Sequence, residues 1–369
     1  MKLSKRALAM TVALVLAMTM SVFGTVAYLT SSAKATNTFT VGDVEITLDE
    51  TKVDEDGNPK YPVDLDGDGE TDAEISVDDK GNIIVDPTPG DDTDDPIVIE
   101  RNDDGTYPPT DIDGDGKDET IEAEKGVVTI TPGNGDDPVT VMPGTDVTVD
   151  EDGTITINPG CPDCEDIVIE RNEDGTYPDT DVNGDGEKDK IEVDENGNVI
   201  ITDSNGNPVV IDPAKSEGNE YNIVPGAEYL KDPTVTVIKG SEESYVRMRV
   251  EITNYAAVKA ALEVADDEIL STLAPDLNTT DWEQKSASAA GDVLTVVFWY
   301  KEPVDASYAA GNVELPALFE TFTVPGTLGR DDLQAIAGMK MDIYGEAIQT
   351  ASFDSAEEAW TSFEGQNSN

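Results

Sequence analysis

Three stretches of this chain carry carboxylates at alternating positions around glycines: Asp64-Leu-Asp66-Gly-Asp68-Gly69, Asp111-Ile-Asp113-Gly-Asp115-Gly116 and Asp181-Val-Asn183-Gly-Asp185-Gly186. This is hard-cation chemistry. Calcium takes six to eight oxygens from alternate loop positions, needs a glycine at the sixth for the sharp turn, and is closed by a late bidentate acid. The second loop meets the twelve-position scheme throughout. Asp111, Asp113 and Asp115 stand at one, three and five, Lys117 offers its backbone carbonyl at seven, and Glu119 and Glu122 fall at nine and twelve. The third does likewise with Asp181, Asn183, Asp185, Glu187 (carbonyl), Asp189 and Glu192. The first has Asp64, Asp66, Asp68, Glu70 (carbonyl) and Asp72, but its twelfth residue is Ile75, and Glu74 is the nearest substitute. A lone loop of this kind is often a solvated turn; two full matches and a near match predict calcium as the bound ion.

The rest of the composition fits a calcium-loaded chain and excludes other chemistry. The 369 residues hold 79 acids against 23 lysines and arginines, a formal net charge of -56. Such a surface repels nucleic acid and anionic membranes, and it repels itself unless cations neutralise part of it. There is no histidine, so Ser-His-Asp and Cys-His nucleophiles and His-ligated zinc are ruled out. Carboxylate pairs can hydrolyse glycosides, but among so many acids a pair carries no information. No catalytic site is predicted, and the chain reads as a non-enzyme. The two cysteines, Cys161 and Cys164, frame Pro162-Asp163. A short-loop disulfide suits a secreted protein. The competing redox reading normally wants the pair at the start of a helix, and here Asn158-Pro-Gly160 precedes it.

The elements that hold the loops read as strands. Residues 51–213 are dense in Asp, Gly, Asn and Pro and internally repeated: Ile97-Val-Ile-Glu-Arg-Asn-Asp-Asp-Gly-Thr-Tyr-Pro recurs 70 residues on, from Ile167, with Glu in place of one Asp. Short alternating runs separated by Gly or Asn-Gly predict hairpins. Each unit is therefore strand, calcium loop, strand, turn, strand, over a thin core to which bound calcium would add stability. The flanks are not helical, so these are not helix–loop–helix sensors. The acidic turns Asn102–Gly105 and Asn172–Gly175 read as plain turns.

On either side the composition changes. Lys2, Lys5 and Arg6 precede an apolar run from Ala7 to Phe23, the layout of a signal peptide. Cleavage is expected after Ala27 or after Ala33-Lys-Ala35, with an uncleaved anchor as the alternative. We divide the chain into a signal peptide (1–27), an N-terminal strand of a sandwich domain (28–50), the acidic calcium-loop module (51–213) and a C-terminal β-sandwich (214–369). In the last part Val235–Ile238, Tyr245–Ile252, Asp292–Trp299, Leu318–Val324 and Met339–Tyr344 alternate as strands. Ala256–Val264 and a segment opening at Asp354-Ser355 read as helices, and Trp282 and Trp299 as core.

The flanks resemble the TasA/camelysin family of Gram-positive bacteria, whose signals are processed by the peptidase SipW. The resemblance rests on Gly24–Tyr28, Asn37–Gly42, Ile223-Val-Pro-Gly226, Lys231-Asp-Pro-Thr-Val235, Tyr245-Val-Arg247 and Glu346–Gln349 with Phe353 and Trp360. It implies a mostly β, jelly-roll-like β-sandwich with short helices and, in TasA-like members, biofilm matrix fibres built by donation of an N-terminal strand, here Thr36–Leu48. It also implies a camelysin-like metalloendopeptidase as a remote alternative, to which a chain without histidine or HExxH is poorly suited. The calcium module departs from the family pattern and reads as an insertion, so that 36–50 would pair with strands beyond 217; beads on a string is the alternative. The expectation is a secreted matrix or surface structural protein. Its partners would be copies of itself, other matrix or surface proteins and the signal peptidase during export, with no nucleic acid and, after cleavage, no membrane. The competing reading is a non-polymerising calcium-dependent adhesin or spacer.

Overall fold

The computed structural model describes residues 30–34, 44–87, 96–150, 152–159, 161, 164–194, 197–216, 218–219, 221, 224–336 and 338–367. The signal peptide expected at 1–27, and part of the proposed donor strand, lie outside them. Among the described residues the protein is mostly β, with short helices, and its sheets are antiparallel but for one strand pair.

Two strands precede the acidic segment: β1 (Thr30–Lys34) and β2 (Ile46–Thr51). Within it run β3 (Tyr61–Val63), β4 (Ala73–Val77), β5 (Ile83–Asp86), β6 (Ile97–Ile99), β7 (Thr120–Glu124), β8 (Val127–Thr131) and β9 (Val139–Val141). These are followed by β10 (Asp146–Val149), β11 (Ile155–Asn158), β12 (Ile167–Ile169), β13 (Lys190–Val193), β14 (Val199–Thr202) and β15 (Pro208–Val210). The remainder comprises β16 (Lys215–Ser216), β17 (Glu228–Leu230), β18 (Thr234–Val237), β19 (Ser244–Thr253), α1 (Tyr255–Leu262), α2 (Ile269–Leu273), β20 (Trp282–Ala290) and β21 (Val293–Tyr300). It ends with β22 (Val313–Glu314), β23 (Thr321–Thr323), α3 (Arg330–Ile336), β24 (Met341–Gln349) and α4 (Ala356–Asn367).

Two sheets share the largest core. One has the order β1-β24-β19-β21-β20 and the other β16-β2-β18-β22. Alternation along β2 and β18 turns Ile46, Leu48, Val235 and Val237 toward Met248, Val250, Val296 and Phe298 of the facing sheet. A sheet with one solvated face buries every second residue. The long central strand β19 departs from this because its other face is covered as well. There α4 lays Trp360 and Phe363 over Ile348. The buried Arg247 guanidinium sits 4.3 Å from the Trp360 ring centroid and pairs with buried Glu346. A buried cation is tolerated when it is both paired and stacked in this way.

β2 leaves this body at Thr51, and the chain returns to pair with it at Lys215. Lys52 N donates to Ala214 O at 2.7 Å and Ala214 N to Lys60 O at 2.8 Å, so entry and exit of the acidic segment are stitched together. Asp232 accepts from both Thr51 N and Thr51 Oγ1, and Lys231 Nζ meets Glu50 at 2.7 Å with both side chains buried. The two ends of the segment therefore form a single stem rather than two independent linkers.

Inside the acidic segment the strands form three layers. A six-stranded sheet, β13-β14-β15-β9-β8-β7, lies between β3-β4-β5-β6 and β10-β11-β12. Its two halves meet at the parallel pair β15–β9. Neighbouring residues of one strand serve opposite cores: Val128 and Val127, or Val210 and Val209, belong to different clusters. Hairpin turns of one type link the strands. At Asp54, Asp78, Asp194 and Asp203 the first residue's N–H donates to the fifth residue's carbonyl, and its carboxylate accepts from that fifth residue's N–H. The turns at Asn102 and Asn172 share the backbone pattern. Two cross-links join consecutive units: Tyr107 donates to Gly81 O and Tyr177 to Gly153 O.

Candidate metal centres

Each Asp-rich loop opens with a carboxylate that organises its own backbone. Asp64 accepts from Gly67 N and Gly69 N, both at 2.8 Å; Asp111 accepts from Gly114 and Gly116, and Asp181 from Gly184 and Gly186. The third and fifth positions follow suit: Asp66 accepts from Asp68 N and Asp68 from Glu70 N, as their counterparts do in the other loops. Such local side-chain-to-backbone bonds are why Asp and Asn favour turns. The sixth residue must be glycine, since Gly69, Gly116 and Gly186 have φ of 91°, 85° and 88°. These bonds use one lone pair of each oxygen, and a carboxylate has about four acceptor sites.

Two residues fix each loop to the module. The second position is apolar and buried: Leu65 and Ile112 enter one core and Val182 the other. The ninth position folds back onto it. Asp72 accepts from Leu65 N at 2.6 Å, Glu119 from Ile112 N at 2.6 Å and Asp189 from Val182 N at 2.7 Å. The loop is thereby closed at nine residues, and its backbone pairs there with the residue before it, as in Thr110↔Glu119 and Thr180↔Asp189.

The structure gathers only some of the carboxylates of the twelve-residue scheme. In the first loop Asp64, Asp66 and Asp72 bring carboxylate oxygens within 4.8 Å of one another; in the second Asp111, Asp113 and Asp115 do so. Neither group includes a twelfth-position residue. Beyond position nine the chain runs on as β4, β7 or β13, and a strand advances about 3.3 Å per residue instead of curling back. Ile75 is buried in β4, while Glu122 points outward from β7. Glu192 on β13 pairs with Lys190 at 2.7 Å. Glu74, the nearest substitute expected in the first loop, is buried and paired with Lys52 at 2.7 Å. At position seven, Lys117 donates to Asp115 at 3.1 Å, holding that carboxyl below its usual range, and Glu187 accepts from Ser204. Glu70 is exposed.

The third loop gathers its donors differently, with Asn183 in place of a carboxylate. Asp189 is wholly buried and its Oδ1 has no hydrogen-bond partner, although Oδ2 holds Val182 N. Burial pushes this carboxyl up, opposed by the amides of Val182 and Asn183 and reinforced by the charges of Asp185 and Asp181. A buried carboxylate oxygen left unpaired costs about 1–3 kcal/mol. The donor sets are all oxygen, which suits calcium, magnesium or manganese and not a soft metal. Two like charges about 5 Å apart repel by roughly 1 kcal/mol in water and about 3 kcal/mol at an effective dielectric of 20, so a divalent cation in either cluster would relieve repulsion. The two Asp-rich clusters can hold a metal ion.

The alternation of carboxylates does not announce the position-two and position-nine roles, although Leu65, Ile112 and Val182 are apolar at one shared place in three otherwise polar loops. Cys161 and Cys164 are joined as a disulfide with Cα atoms 5.3 Å apart. The bridge lies against the β7–β8 turn, with Cys164 Sγ 3.9 Å from Lys125 O, and among the described residues no helix starts beside it. No helix among the described residues is long and apolar enough to cross a membrane. No protein-family model matches the chain, and neither does any curated protein or solved structure.

Proposed function

We propose that this chain is a secreted structural protein of a Gram-positive extracellular matrix or cell surface, stiffened by calcium and without catalytic activity. The observation that carries the reading is the shared cradle. Three loops in one chain of net charge -56 present backbone-braced carboxylates in the same order, and the third holds a buried carboxylate oxygen with no protein partner. Calcium is the ion proposed, because flexible six-to-eight-fold oxygen coordination suits loops built of Asp and backbone carbonyls better than the strict octahedron of magnesium. The residues that would hold it are Asp64, Asp66 and Asp72; Asp111, Asp113 and Asp115; and Asp181, Asn183, Asp185 and Asp189. Its positive charge would offset the repulsion in each cluster and lock the strands on either side.

The TasA-like flanks add assembly to this reading. The strand expected to be donated, Thr36–Leu48, follows β1, the outermost strand of its sheet, which pairs with β24 from Thr30↔Ile348 to Lys34↔Tyr344 and is kept in the mature chain when cleavage follows Ala27. An edge strand is the element that can be exchanged between copies, and a head-to-tail exchange that does not close makes a filament. The stem at Lys52 and Ala214 favours a second role for the acidic segment, that of an arm held out from such a filament or acting as a non-polymerising spacer. Electron microscopy of the calcium-loaded, signal-cleaved protein across concentration tests assembly. Fibres are expected; a monomer at every concentration would leave the spacer reading and remove the fibre.

A further inference from the structure

A groove of about 1260 Å³ lies between the acidic segment and the sandwich. The geometry points to it as a docking site for an extended, cationic polypeptide segment of a partner protein, bound by strand addition. One wall is the outer face of the sandwich's four-stranded sheet, with Thr47, Asp49, Thr236 and Glu314. The other wall presents β10 and β13. Each is the last strand of its sheet: among the described residues β10 pairs only with β11, and β13 only with β14.

The direction of the open backbone groups follows from the hairpin turns. Asp150 N donates to Thr154 O and Asp194 N to Asn198 O, so these residues face inward to their hairpin partners. Antiparallel pairing alternates. The N–H and C=O of Val147 and Val149, and of Ile191 and Val193, therefore point away from the partner strand. All four residues line the groove, and Val149 is 42% exposed. Open edges of this kind are ready-made templates for another strand.

Charge selects the occupant. The lining holds seven carboxylates, among them Asp49, Asp150, Glu192 and Glu314, against two cations, Arg171 and Lys190. Lys190 is itself paired with Glu192. A second copy of a chain with net charge -56 is the wrong sign for such a groove, whereas a strand alternating lysine with a β-branched residue matches both the carboxylates and the open edges.

The test uses the full chain in calcium-replete buffer and a fluorescein-labelled, end-capped Lys-Val-Lys-Val-Lys-Val peptide, read by anisotropy. Val149→Pro and Val193→Pro each delete one outward N–H at an edge position where proline is tolerated. Saturable binding should weaken at least tenfold in each variant, with melting temperatures near that of the parent. Hydrogen exchange on the unaltered chain should slow at Val147, Val149, Ile191 and Val193 when peptide is added, a readout that does not need the variants to fold. Binding that responds to salt but not to proline, with no exchange footprint, would mean diffuse charge attraction and overturn the proposal. Equal binding of a Glu-Val peptide would overturn it too, as would parent self-association abolished by the proline changes, which would assign the groove to a second copy.

Discussion

Asp189 and Glu119 occupy the same loop position, and one methylene separates what they do. The longer Glu119 is buried and divides its oxygens between Ile112 N at 2.6 Å and Gly133 N at 3.2 Å, tying its loop to the β8–β9 turn. Asp189 holds Val182 N and leaves Oδ1 unpartnered. Substitution should separate the two. Glu119→Ala strands two backbone amides and should cost about 2 kcal/mol with or without calcium, read as parallel losses in urea midpoint; a loss confined to the calcium-loaded protein would assign Glu119 to the ion instead. Asp189→Asn replaces an unpaired buried charge with a neutral group. It should raise the melting temperature of the calcium-free protein while shrinking the gain on adding calcium. A variant that melts lower than the parent without calcium would show that the carboxylate is already satisfied there.

At the scale of elements, the hairpins were legible and their arrangement was not. Alternation around Gly or Asn-Gly marks β7–β8 and β13–β14, and the long apolar alternation of Tyr245–Ile252 marks β19, because one buried face imposes period two. β20 gave no such signal. Trp282-Glu-Gln-Lys-Ser-Ala-Ser-Ala-Ala is mostly exposed and small, and only its pairing with β21 makes it a strand. The parallel contact of β15 with β9 joins units that are far apart in sequence, so no local pattern announces it. The twelve-residue loop belongs between helices; the strand expected and found after position nine carries position twelve away from the carboxylates of positions one to five. The Tyr107 and Tyr177 bonds tie each unit to the turn before it. Tyr177→Phe should lower stability by about 1 kcal/mol, the net worth of one such bond. The loss should be accompanied by faster exchange at the Asp150–Thr154 turn; unchanged exchange there would deny the tyrosine this role.

For the whole molecule, the stem predicts that the acidic segment is separable. Lys52 and Ala214 are already hydrogen-bonded neighbours, so replacing 53–213 with a short Gly-Ser turn should leave the sandwich folded. Retention of its near-ultraviolet signal and cooperative melting would show this, and a molten product would mean that the segment is part of the sandwich's own core. Calcium sensitivity should leave with the segment, since all three loops lie in it. The chain's charge, its oxygen-only donors and its small acidic-segment cores all bear on one proposal: that calcium binds these loops and holds that segment rigid. Calorimetric titration of calcium into the chelator-stripped full chain, with thermal melting of the same sample, tests this most directly. Saturable binding at millimolar affinity or tighter, of up to three ions per chain, is expected, with a higher melting temperature for the acidic segment. No saturable heat, together with melting that is the same in calcium and in chelator, would contradict it.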